Sequence, residues 1–144
     1  MLKMSILTKA TVFAVLIALV FASFPTTNVV AKGNHQGLEN KWSQLVDNYT
    51  RQSINHTSAH KWVDHWLQTN KKASVSQKEE VQKHLTICNS AIVAAGSIVS
   101  THAGFDAKGK LIDRGAAIKS IKDLSYYLRQ HAGSIKNLSG YVNK

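Results

Sequence analysis

Seven histidines and a single cysteine stand among 144 residues, and their spacing is chemically suggestive. His56 and His60 are four apart, as are His84 and Cys88. Residues four apart project from one face of a helix, so each pair offers two donors to one site. Imidazole nitrogen and thiolate sulfur are the groups with which helical bundles hold transition metals or haem iron. His131 lies in a third segment with helical periodicity. His56, His60, His84, Cys88 and His131 are therefore the candidate metal or haem ligands. No His-Glu-X-X-His motif and no Cys-X-X-Cys-His haem attachment accompany them. The competing reading is a polar layer inside a helical core, its imidazoles hydrogen-bonded to Tyr, Gln, backbone or water. A third is a pH switch, because burial disfavours the charged form of a group whose ordinary pKa is near 6.5.

These residues need rods to carry them. From Leu38 the series Leu38, Trp42, Leu45, Tyr49, Gln52, His56, Ala59, Val63, Trp66 advances by alternating steps of four and three, the period of a buried helical stripe. Gln52 and His56 are its polar members. The weak helix formers around Asn55 leave two forms open, one helix of about thirty residues or two broken near Asn55. A second series runs Val81, Leu85, Cys88, Ile92, Ala95, Val99, His102. Ser76 and Glu79 are spaced as a capping box at its start, and Gly104 suits its end. The stretch from Ser90 to Ser100 is rich in small residues, which let helices approach closely. The third series is Ile118, Ile121, Leu124, Leu128, His131, Ile135, Leu138, Val142, with Asp113 positioned to cap it. The segment Phe105 to Leu111 reads as a turn; it lacks the alternating acids and closing Glu of a calcium loop. The expectation is an all-α antiparallel three-helix bundle, or four helices if the first breaks. Its register places His60, His84 and His131 in one layer and His56, Cys88 and Tyr127 in the next.

The N-terminus reads as an export signal. Lys3 and Lys9 precede the uncharged apolar run Ala10 to Phe24, and Val29-Val30-Ala31 suits cleavage after Ala31. The run is shorter than the roughly 20 residues of a spanning helix, and the Gly96–Ser97 interruption argues against a later span. The organisation expected is a signal peptide over 1–31, a flexible start over 32–37 and one domain over 38–144, secreted from the cell. Asn48, Asn55 and Asn137 head glycosylation sequons. The single Cys excludes an internal disulfide. The lone proline, Pro25, falls in the leader, so nothing in the domain breaks a long helix.

The whole chain carries a formal charge of +10; beyond residue 31, 16 basic residues face 8 acidic ones, a net +8. On the third helix Lys122, Arg129 and Lys136 are seven apart and line up within about 40°. Lys119 and Tyr126 lie on the same side. With Trp62 on the first helix, they form the candidate binding face for an anionic surface, a polyanion or an acidic protein. A solvated lysine face is the plain alternative. Fifteen of the 18 basic residues are Lys, which disfavours bidentate, sequence-specific nucleic-acid recognition. No nucleophile elbow, phosphate loop or paired acids are present, and Cys88 amid apolar positions is poorly placed as a nucleophile. The sequence therefore points to a binding protein rather than an enzyme. The expected function is docking to an anionic macromolecule or surface, with a metal- or haem-binding bundle as the alternative.

Overall fold

The computed structural model describes residues 35–142. The expected leader, its cleavage point and residues 32–34, 143 and 144 lie outside the described residues. Three helices pack against one another: α1 (His35–Thr69), α2 (Val75–Thr101) and α3 (Arg114–Val142). α1 is continuous through Asn55, so among the described residues the bundle has three helices, not four. Burial of its stripe outweighs the weak local propensity: Trp42, Leu45, Gln52, Ala59 and Val63 are all buried. Helix already begins at His35, so the expected loose start at 35–37 is helical.

The core falls into two clusters that fix the directions of the helices. Trp42 and Leu45 of α1 meet Ala95 of α2 and Ala117, Leu124 and Leu128 of α3, with Phe105 from the connecting segment. At the other end Ala59 and Val63 meet Val81, Leu85, Cys88, Ile135 and Leu138. Early α1 thus lies beside late α2 and early α3. Tyr49 touches Gly96, where an added Cβ would sit 2.7 Å from the Tyr49 hydroxyl oxygen. The small residue at that point is what admits the ring.

Two caps differ from the sequence expectation. The capping box of α2 is made by Ser74 and Gln77, not by Ser76 and Glu79. Gln77 N donates to Ser74 Oγ, and Ser74 N donates to Gln77 Oε1. The chain is ready to start two residues earlier because Asn70 Oδ1 takes the N–H groups of Lys72 and Ala73, closing the turn from α1. At its far end α2 stops at Thr101, and His102 adopts the left-handed cap (φ 38, ψ 38), so it is not a core residue. Gly104 serves instead as a buried turn residue with φ +91, packed on the backbone of Ala117.

The α2–α3 connection is a built segment. Asp106 Oδ1 accepts from Lys108 N and Lys110 N, both at 2.8 Å. These backbone donors hold the Asp106 carboxyl below its ordinary pKa. Phe105 pairs with Leu111 across an isolated bridge and stacks on Trp42 at 4.7 Å between ring centroids. Glu39 of α1 accepts from Leu111 N at 3.0 Å and pairs with Lys110 at 3.1 Å. Ala116 N donates to Asp113 Oδ1, so Asp113 caps α3 as expected. At the start of α3 the buried face is Ala117 and Ser120, and Ile118 is 41% exposed. The connection packs against small Ala117 and ties Ser120 Oγ to Ala103 O. This turns the helix by one position relative to the expected Ile118 stripe. By length and composition α2 could cross a bilayer, which the reading from Gly96–Ser97 excluded; here its buried face packs on both other helices.

Two glycines give opposite predictions. Gly104→Ala forces a Cβ against Ala117 at a positive φ and should destabilise by more than about 2 kcal/mol. Gly133→Ala, in open space within α3, should stabilise by about 0.5–1 kcal/mol. Urea unfolding of the two variants checks both signs.

Candidate metal centre

One candidate ligand from each helix arrives at one point. His56 of α1, Cys88 of α2 and His131 of α3 place their donor atoms within 4.8 Å of one another. His56 Nδ1 lies 3.1 Å from His131 Nε2 and 3.5 Å from Cys88 Sγ. His131 and Cys88 are wholly buried and His56 is half-buried.

The proton positions follow from the partners. Gln52 Nε2 donates to Asn48 Oδ1 at 3.2 Å, which turns Gln52 Oε1 toward His131. An amide oxygen can only accept, so His131 Nδ1–H donates to it, at 2.6 Å. Burial keeps the ring neutral, so its Nε2 presents a lone pair to the cluster. That lone pair accepts from His56 Nδ1–H. Burial, and secondarily the neighbouring His56, hold the His131 pKa down to about 3. Burial lowers His56 as well, and nearby His60 adds to it. Burial pushes the Cys88 thiol up to about 12. Without an ion, the site is a neutral group of two imidazoles and a thiol.

His60 and His84 do not join it, contrary to the expected layers. His60 Nδ1 pairs with Asp64 at 2.8 Å, and its Nε2 accepts from Asn89 Nδ2 at 3.3 Å. His84 packs on Tyr141, with ring centroids 6.0 Å apart, and its Nε2 is 4.0 Å from Glu80. Tyr127 packs with the other core cluster. The expected register set Cys88 level with Tyr127; it actually meets His131, four residues or about 6 Å along the axis away. Side chains lean toward their own N-terminus. Across oppositely directed helices, facing tips therefore come from positions farther apart in sequence than backbone levels suggest.

Gln52 was visible in the sequence as a polar intrusion in an apolar stripe, but its partner was not. Asn48 was not singled out for this role. Its burial also closes that sequon in the folded chain, whereas Asn137 is exposed. His56 Nδ1 and His131 Nε2 stand 3.1 Å apart in the packed core, with the two rings tilted and their centroids 5.2 Å apart. Two open surface depressions lie elsewhere, one beside Asp47, Thr50 and Arg51 and one lined by residues including Ser97, Lys119 and Asp123.

The expected cationic face is on the surface. Lys119, Lys122, Tyr126, Arg129 and Lys136 are all exposed. Lys119 pairs with Asp123, and Arg129 Nε donates to Ser125 O. Trp62 is half-buried against the core cluster that includes Ile135 and Leu138 of α3. No family model, curated protein or solved structure matches this chain.

The neutral imidazoles give a pH prediction. The unfolded chain binds a proton at His131 near pH 6.5, and the folded one only near 3. This contribution is complete above about pH 6.5 and is lost as pH falls toward 3, the loss reaching about 2 kcal/mol at pH 5. Denaturant midpoints at pH 7.5 and 5 measure it. Gln52→Leu should cost about 1–3 kcal/mol at pH 7.5, because the His131 N–H loses its buried acceptor.

Proposed function

We propose that the protein binds a transition-metal ion through His56, Cys88 and His131. The observation that carries this reading is the convergence of three soft or borderline donors, one from each helix, within 4.8 Å. Gln52 strengthens it. Metal-ligating histidines characteristically donate their second ring N–H to a fixed acceptor, which orients the ring and raises its basicity. His131 has such an acceptor in place at 2.6 Å. His56 can offer Nδ1 once its proton moves to Nε2, with no net loss. Cys88 must give up its thiol proton, so binding releases one proton and weakens as pH falls.

A second reading concerns the surface of α3. Ile118, exposed against expectation, lies within about 40° of Lys122, Arg129 and Lys136, with Tyr126 nearby and 53% exposed. Cations flanking exposed apolar side chains suit docking to an anionic surface. The first segment's export character would bring both activities outside the cell. Retention on vesicles containing phosphatidylglycerol should fall with salt and vanish in the combined K122E, R129E and K136E variant; unchanged retention removes this reading.

The metal reading makes its own prediction. An ion held a hundredfold above its Kd should raise folding stability by about 2.7 kcal/mol. Thermal melts of the full chain with one equivalent of zinc(II) or copper(I) measure it. The increment should disappear in Cys88→Ala, and an unchanged melt with every ion would contradict the reading.

A further inference from the structure

We propose that the ion is copper(I), a choice that rests on the metal-binding reading above and is decided by charge balance and ligand number. Among the described residues the cluster holds no carboxylate. Asp64 is engaged by His60 at 2.8 Å, and Glu80 lies beside Lys83 and His84. Among the described residues the only side-chain anion the cluster can generate is the Cys88 thiolate. A monovalent ion on one thiolate and two neutral imidazoles leaves the site neutral. A divalent ion leaves one uncompensated positive charge beside two wholly buried side chains, which the interior disfavours strongly.

Ligand number points the same way. Copper(I) accepts three donors in a plane and favours sulfur and imidazole, and two histidines with one cysteine is a donor set proteins use for copper. A zinc(II) ion on three side chains must complete its tetrahedron with water, and here the three side chains that converge include two that are wholly buried. With metal–nitrogen distances of about 2.0 Å and metal–sulfur of about 2.3 Å, planar ligands stand about 3.5 Å (N to N) and 3.7 Å (N to S) apart. The observed 3.1 Å and 3.5 Å need small expansions, and the third edge, between His131 and Cys88, lies within 4.8 Å and must settle at about 3.7 Å. Binding is an exchange in which the Cu–S bond replaces the S–H bond and the proton leaves to solvent, with no change of oxidation state. His56, half-buried, is the ligand through which the ion reaches the two buried ones.

The test is an anaerobic competition on the full chain. The probes are copper(I) held by bicinchoninate and zinc(II) held by a chromophoric chelator. Withdrawal of one equivalent of copper(I) per chain, with affinity at least about tenfold above that for zinc(II), is the expected result. A thiolate-to-copper absorption in the ultraviolet should accompany it. Cys88→Ser should abolish both signals. His56→Gln, at the more exposed ligand, should weaken copper(I) binding while keeping the helical circular dichroism of the parent, which separates loss of a ligand from loss of the fold. Zinc(II) binding as tight as copper(I) or tighter would overturn copper while leaving the metal site standing. Binding of neither ion would remove both.

Discussion

The hydrogen bond from His131 Nδ1 to Gln52 Oε1, 2.6 Å long and wholly buried, is the constraint on which the core chemistry depends. It joins α1 to α3 at mid-bundle and fixes a tautomer. Gln52 is itself held by Asn48 one turn earlier. Three polar side chains therefore enter the core with their hydrogen bonds in order, so their burial avoids most of the penalty of about 1–3 kcal/mol for each unpaired group. What this ordering leaves over is the His131 Nε2 lone pair, which takes the His56 Nδ1–H at 3.1 Å and lies in one cluster with the Cys88 sulfur.

Each helix contributes one donor, so the site exists only in the assembled tertiary structure. The two apolar clusters at either end set the heights of the helices, and the Ser74–Gln77 cap and the Asp106 turn set the lengths of the connections. The clasp of Glu39 on Lys110 and Leu111 ties the start of α1 to the second connection. Among the described residues two buried side-chain atoms remain unsatisfied, His84 Nδ1 and Asn89 Oδ1. Both are on α2, near Cys88 in sequence, and they mark that helix as the place where the polar layer is least complete.

Much of this was legible in the residues. Period and absence of proline foretold long helices, and the stripe Leu124, Leu128, His131, Ile135, Leu138 is the buried face of α3. His56, Cys88 and His131 stood out by type and position. The layer shared by His56 and Cys88 was legible; that His131 joins it was not, because a register drawn from turn centres measures backbone levels, whereas chemistry happens at side-chain tips that lean along each helix. Ile118 misled for a related reason: a long-range contact of Gly104 with Ala117 decides which face of the first turn is covered, and periodicity alone contains no such contact. The spacing places the capping box two residues late, at Ser76 rather than Ser74, because the turn that Asn70 closes on Lys72 and Ala73 depends on side-chain contacts that spacing does not contain.

The account stands on the protonation state that Gln52 imposes. The most direct measurement is the nitrogen-15 spectrum of the His131 ring in the metal-free full chain at pH 7 and again at pH 5. The account predicts a neutral ring at both values, protonated on Nδ1 with a pyridine-like Nε2. A ring carrying its proton on Nε2, or an imidazolium at pH 5 in the folded protein, would contradict it.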